Sequence, residues 1–309
     1  MKKNLLVLAL ALIGASACPF KAYAHTTEEV ATIQVEQEQT DNELEQTDNE
    51  LGLSIEVGAD VVTSYLWRGL NLGGLAIHPS FTIDWRGWYL SAWGNIGPTS
   101  WLFQEFNPEL DITIGYANYG FVLDLTHLYY FYGNTYFIGL EDANNLSSST
   151  MELHAGIDIS EWAEKVPLTI DWYTTVLGQD PALDANGQVM INKNGNIKRA
   201  YSTYIELGYD IYLPWDIVLG LKLGFTPWKG MYSDYEEVWT NGSTVGFNNI
   251  QLRAEREFEI NDLYISVWGE AMFNCYGVNK NNIINTFGNA STQKLNACIG
   301  VGIYYGNEW

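Results

Sequence analysis

Long apolar runs are missing from this chain. Nothing beyond its first two dozen residues approaches the about 18 consecutive apolar residues that a membrane-spanning helix needs. Cysteine is nearly missing too: only Cys18, Cys275 and Cys298 occur, which rules out a small disulfide-stapled scaffold. Basic residues are scarce, 15 Lys and Arg against 37 Asp and Glu. So acidic a surface does not suit a phosphate backbone, and no nucleic-acid partner is expected. The chain also lacks Gly-x-Ser-x-Gly, a Gly-rich phosphate loop and His-Glu-x-x-His. Neither enzymatic activity nor a cofactor or metal site is expected.

What is present begins with MKKNLLVLALALIGASACPFKAYA. Lys2 and Lys3, a short apolar stretch and Ala22-Tyr23-Ala24 read as a secretory signal over residues 1–24, with the mature chain starting at His25. Ala15-Ser16-Ala17-Cys18 offers a rival reading as a lipoprotein site. Removing three lysines and no acids leaves 12 basic against 37 acidic residues, a net charge of −25. Residues 25–52 read as a flexible acidic tail, because EQTDNEL occurs twice in tandem and carries only one leucine per copy.

From residue 53 to 309 the pattern becomes alternation of period two, the signature of strands with one oily face and one wet face. The stretch DIVLGLKLGF at 216–225 shows it: Ile217, Leu219, Leu221, Leu223 and Phe225 share one parity, Lys222 the other. Twelve strands are predicted: 53–67, 76–85, 88–97, 107–118, 120–131, 149–160, 167–177, 200–213, 216–226, 246–260, 262–274 and 292–305. Their connections alternate between tight turns, such as Arg86-Gly87, and long loops, such as 132–148. An even strand count with short turns at one end and long loops at the other predicts a closed antiparallel up-and-down transmembrane β-barrel. On this reading the oily face meets lipid, the short turns are periplasmic and the long loops extracellular. Cell outer membrane is the expected location.

Aromatics support two interfacial girdles. Trp85, Trp88, Tyr119, Trp162, Trp215 and Trp309 fall at the short-turn ends, and Tyr65, Trp67, Tyr129, Phe131 and Tyr201 near the long-loop ends. The terminal run CIGVGIYYGNEW resembles the strand by which such barrels engage the barrel-assembly machinery. Cys275 and Cys298 sit on opposite parities of neighbouring strands, so unpaired thiols are expected rather than a bridge.

Lumen parity collects 14 acids, among them Asp171, Glu206, Glu255 and Glu270, against three bases, Arg68, Lys222 and Arg253. Charge of one sign within a low-dielectric wall favours solutes of the other sign. Trp93, Tyr204 and Trp268 face inward as well, either as platforms for sugar rings or as obstructions. His127 and Arg256 fall on the oily parity, which implies a bulge, an interfacial position or a strand assignment off by one residue. Glu152 and His154 share a face, too few ligands for a metal.

The runs ADVVTSYLWRGLNLGG at 59–74, GWYLSAWGN at 87–95, PELDITIGY at 108–116 and LYYFYG at 128–133 resemble the Gcw_chp family of bacterial proteins, also called TorF-type porins. The resemblance implies a β-barrel with a porin role and supplies no site residue. The expected function is therefore a channel for small hydrophilic solutes, leaning toward cations or neutral sugars. A plugged barrel with a structural or loop-binding role is the alternative, and a lipid-modifying enzyme the third reading.

Overall fold

In the computed structural model the chain is described at residues 52–97, 108–131, 149–182, 184, 188–233, 246–260, 263–275 and 294–308. The signal, nearly all of the acidic tail and Trp309 lie outside the described residues. The strands are β1 (Leu53–Val62), β2 (Tyr65–Trp67), β3 (Leu70–Gly73), β4 (Ala76–Trp85), β5 (Trp88–Asn95), β6 (Glu109–Asn118) and β7 (Phe121–Tyr130). They continue with β8 (Ser149–Asp158), β9 (Leu168–Gly178), β10 (Thr203–Leu213), β11 (Ile217–Thr226), β12 (Gly246–Ile260), β13 (Leu263–Phe273) and β14 (Leu295–Glu308). Twelve of these, β1 and β4–β14, close into one antiparallel barrel, and β1 seals it by pairing with both β14 and β4. Closure leaves no unpaired edge, the condition for a sheet in lipid.

Alternation orients every strand. Val57, Val61, Ile114, Leu123, Leu221 and Ile299 point outward and stay exposed, whereas Glu56, Asp60, Asp111, Asp124 and Cys298 point inward and are buried. The protein has the outer surface of a transmembrane barrel and keeps its buried core inside the bore. Short turns carry the chemistry that matches strand twist. Arg86-Gly87 and Tyr119-Gly120 both have positive φ at both residues, as a two-residue type I′ hairpin requires. Trp85, Trp88, Tyr119, Trp162 and Trp215 are all exposed at that end.

The first predicted strand, 53–67, is a correction. β1 stops at Val62, and Tyr65–Gly73 folds instead into a separate two-stranded hairpin, β2–β3. Its tip is Arg68-Gly69, with φ of 45° and 85°, another two-residue turn of the same kind. Tyr65 and Trp67 therefore do not join the outer aromatic girdle. Both are buried among other aromatics, while Phe131 and Tyr201 remain exposed. The last strand also runs further than predicted, to Glu308.

Inward aromatics find room because glycine lies beside them. A Cβ on Gly224 would come 2.0 Å from the Tyr204 hydroxyl, and one on Gly300 would come 2.2 Å from the Trp268 ring. Tyr304 likewise lies against Gly58. Side chains of this size fit a narrow bore only where the neighbouring strand presents no Cβ.

Candidate functional site: the bore and its hairpin

The hairpin leaves the wall at β1 and drives its tip to the opposite side of the barrel. There Arg68 grips Glu152 of β8 with two parallel hydrogen bonds, Nη1 to Oε2 at 2.5 Å and Nη2 to Oε1 at 2.8 Å. Such a fork-to-carboxylate pair is the strongest ion-pair geometry available to a side chain. Tyr232 accepts from Arg68 Nη1 at 2.7 Å and also donates to Glu152. The guanidinium lies 3.8 Å from the centre of the Tyr173 ring and 4.8 Å from that of Trp67. Backbone contacts wedge the tip: Asn274 Nδ2 donates to the Gly69 carbonyl at 3.0 Å, and a Cβ on Gly69 would collide with the Asn248 carbonyl at 2.1 Å. Near the hairpin's base, Tyr65 donates to Glu109 at 3.0 Å and packs on His78 and Trp93, while Asn71 donates to Asn296 at 3.1 Å.

Burial of the inward side chains consequently rises from the short turns toward the hairpin. Inward residues of β12 record this along one strand: Asn249 is 0% exposed, Gln251 and Arg253 are 8%, Glu255 is 9%, and Glu257 and Glu259 nearer the turn are progressively open.

Of the residues expected to line the bore, Asp171, Glu206, Arg253, Glu255, Glu270, Trp93, Tyr204 and Trp268 are buried on the strands and Lys222 is half-buried there, whereas Arg68 belongs to the hairpin; the strands form two walls. On β8–β13, charges of both signs alternate. Lys222 Nζ is 2.5 Å from Glu206 Oε1, and Tyr204 donates to the same carboxylate's Oε2 at 2.7 Å. Arg253 Nε donates to Glu255 at 3.0 Å, its Nη1 lies 3.9 Å from Glu270, and its guanidinium stacks 4.0 Å from the Trp268 ring centre. Asp171 takes part in a clamp that the sequence did not announce. His154 Nδ1 lies 2.7 Å from Asp124 Oδ2, and His154 Nε2 lies 3.0 Å from Asp171 Oδ1. Carboxylates only accept, so an imidazole bonded to one on each side carries both protons and acts as a fourth cation. Tyr173 stacks on that ring at 4.3 Å and Tyr89 donates to Asp124 at 2.7 Å.

The other wall, β14, β1 and β4–β7, holds no Lys or Arg in any strand. It does hold Glu56, Asp60, Asp84, Glu109, Asp111 and Asp124. Glu109 was missing from the inward acids read off the sequence although it shares the parity of Asp111. Trp93 belongs to this wall and packs against the hairpin.

Of the two residues on the oily parity, Arg256 is exposed near the short turns and lies 4.9 Å from the Phe258 ring, an interfacial position. His127 keeps the outward parity between Ile112 and Met151, its cross-strand neighbours, and stacks on Tyr129, but unlike those two neighbours it is buried. Neither neighbour can serve as a nucleophile. Cys275 and Cys298 are free thiols. Among the described residues no group of three or more His, Cys, Asp or Glu is arranged to hold a metal.

Outside the barrel wall, Asp180 closes the base of the 179–202 loop. Its carboxylate accepts from the Ser202 amide at 3.1 Å and from the Ser202 hydroxyl. Burial, only partly offset by these hydrogen bonds, pushes its pKa up to about 6. Folded Asp180 thus binds a proton more readily than an unfolded aspartate. Its ionisation weakens the packed loop above pH about 6, and that penalty fades as pH falls toward the ordinary value near 3.8. We expect slower hydrogen exchange across 179–202 at pH 5 than at pH 7.5, after correction for intrinsic rates. Equal protection at both would show that Asp180 does not control the loop.

No protein-family model matches the chain, and no curated protein matches it, so the Gcw_chp likeness stands on the quoted residues. Solved structures do align. A NanC porin is 10% identical over 81% of this chain and 98% of its own, with a TM-score of 0.43. An outer-membrane channel from Pseudomonas putida F1 is 12% identical over 86% and 100%, at 0.35. The Salmonella typhi outer membrane phospholipase is 11% identical over 85% and 94%, also at 0.35. The functional reading therefore rests on the geometry of this chain itself.

Proposed function

We propose that this protein is an outer-membrane channel for small hydrophilic solutes, held shut in this form by the hairpin Tyr65–Gly73. The observation that carries the reading is the way the bore is closed. The obstruction is a separate element, held by polar contacts at Arg68–Glu152, Tyr65–Glu109 and Asn71–Asn296 as well as by the packing of its buried Tyr65, Leu66, Trp67 and Leu70. A barrel that needed only to be sealed would gain nothing from so many ionised groups inside, since well-packed apolar residues replace buried ion pairs without loss of stability. The acidic excess inside supports cations or neutral sugars over anions.

Planar-bilayer recording of the refolded mature chain tests this. Brief single-channel steps with cation preference in a salt gradient are expected. A verified folded barrel that gives no steps, either as wild type or with the Arg68 anchor removed, would favour the second reading. In that reading, which the near-complete burial of the long-loop half supports, the barrel is permanently plugged and acts through its loops.

A further inference from the structure

We infer that the pocket holding Arg68 is a binding site for small solutes that carry a guanidinium group, and that Arg68 fills it as a tethered stand-in while the bore is shut. The inference rests on the channel reading above and names the class of solute.

The pocket is built by the barrel and its loops, not by the hairpin that fills it. Glu152 stands on β8, Tyr173 on β9 and Tyr204 on β10, and Tyr232 follows β11 in the short helical turn Met231–Ser233. Each tyrosine is fixed by contacts that do not involve Arg68. Tyr173 stacks on His154, and Tyr204 donates to Glu206 and accepts from Asn249 Nδ2 at 3.0 Å. Asn248 Nδ2 donates to the Tyr232 carbonyl at 2.9 Å, and the Met231 amide donates to Ser202 Oγ at 2.7 Å. Three aromatic rings and one carboxylate thus converge on one planar cation. The centres of Tyr173, Tyr204 and Tyr232 lie 3.8, 5.2 and 5.3 Å from Arg68 Cζ. A box held from outside in this way is preorganised for the next occupant.

Charge calls for an occupant. The other cations of this wall are engaged elsewhere: Lys222 with Glu206, Arg253 with Glu255 and Glu270, and His154 with Asp124 and Asp171. Thr126 and Thr175 stand across the strands from Glu152, and neither brings charge. A carboxylate that is 1% exposed therefore needs a new cation, or bulk water, once Arg68 withdraws. An independent observation marks the same spot. Thr175 is 0% exposed, and its hydroxyl oxygen has no hydrogen-bond partner. Buried hydroxyls are ordinarily satisfied. An acceptor left open beside the carboxylate suits a further N–H of a solute that is not tied to the hairpin tip. Geometry selects guanidinium over ammonium. Two parallel bonds to Glu152 need paired N–H groups in one plane, and the face of Tyr173 takes a flat cation.

The test uses ethylguanidinium, which carries the atoms that Arg68→Ala removes beyond Cβ, with propylammonium at equal ionic strength as the comparison. Titration calorimetry in detergent micelles should show the full mature Arg68→Ala chain binding ethylguanidinium about tenfold more tightly than propylammonium. Adding Glu152→Gln removes the carboxylate and should abolish that binding. In wild type the solute competes with Arg68, so ethylguanidinium, and not propylammonium, should speed hydrogen exchange across Tyr65–Gly73 about threefold, with saturation. Equal affinity for the two cations, or binding that survives Glu152→Gln, would overturn the inference. So would a wild-type hairpin whose exchange ignores the solute, since the pocket would then be an anchor for Arg68 and nothing more. Neither readout needs ion flow. Binding in the expected pattern without conductance steps in a planar bilayer would keep the site and remove the channel, and a conducting chain that does not bind would do the reverse.

Discussion

Arg68→Ala is expected to raise the open probability of the channel about a hundredfold with little change in the folding of the barrel. The argument begins with what the side chain holds. Arg68 is the tip of a hairpin, bonded twice to Glu152 and once to Tyr232, and stacked on Tyr173. Removing one partner of a buried, well-formed ion pair costs about 3–5 kcal/mol. That loss falls on the attachment of the hairpin, because the twelve-strand ladder closes through β1 and its pairing with β14 and β4 without the hairpin. Each 1.4 kcal/mol moves a two-state equilibrium about tenfold, so even half of the lost energy shifts the population strongly. Glu152, left without its partner, also favours the state in which water reaches it. Arg68→Lys should fall between wild type and Ala, since an ammonium keeps the charge but not the two-pronged geometry. Unchanged single-channel activity in Arg68→Ala, with the heat-modifiable gel shift of an intact barrel, would mean that this anchor does not set the closed state.

Side-chain parity made the barrel legible, and it failed where parity is uninformative. Ile217, Leu219, Leu221 and Leu223 against Lys222 can be assigned to lipid and bore from sequence because lipid refuses charge. The hairpin was hidden by the same alternation. Val61, Thr63, Tyr65 and Trp67 read on as one strand, and only turn chemistry interrupts it. The cue was there: Trp67-Arg68-Gly69 repeats the Trp85-Arg86-Gly87 that makes the next short turn, and both Arg-Gly pairs adopt positive φ. Glu109 could have been placed by extending the parity of Asp111 by two residues. The inward aromatics left two readings open, platforms or obstructions. Glycines on adjoining strands, such as Gly224 beside Tyr204, hint at packed rings, but recognising the pair needs the register. The clamp on His154 was beyond reach for that reason. Asp124 and Asp171 come from two different strands, and a shift in register between Met151 and Glu152 adjusts the β8–β9 pairing on the Asp171 side. A lone histidine in the sequence gives no sign of whether it is charged.

That clamp carries the second large effect. His154→Leu should destabilise the folded barrel by about 3–5 kcal/mol, the usual cost of leaving buried charge uncompensated. The substitution keeps a side chain of comparable bulk, so the loss is electrostatic before it is steric. Asp124 is 7% exposed and Asp171 5%, and without the imidazolium they face one another across the same space with no cation between them. Tyr89 donates to Asp124 and can satisfy one lone pair of that carboxylate, but it brings no charge. Tyr173 loses the aromatic ring stacked on it and keeps its contact with Arg68, so the damage reaches the hairpin's anchor as well. Neutralising the acids should reverse most of it. His154→Leu combined with Asp124→Asn and Asp171→Asn removes all three charges together, and buried networks replaced as a whole are commonly neutral to stability. The comparison requires reversible guanidinium unfolding in detergent micelles, with the three forms measured side by side. A midpoint for His154→Leu equal to wild type would show that the imidazole is not held as a cation. A triple variant no better than the single would show that ring packing, and not charge, is what His154 contributes.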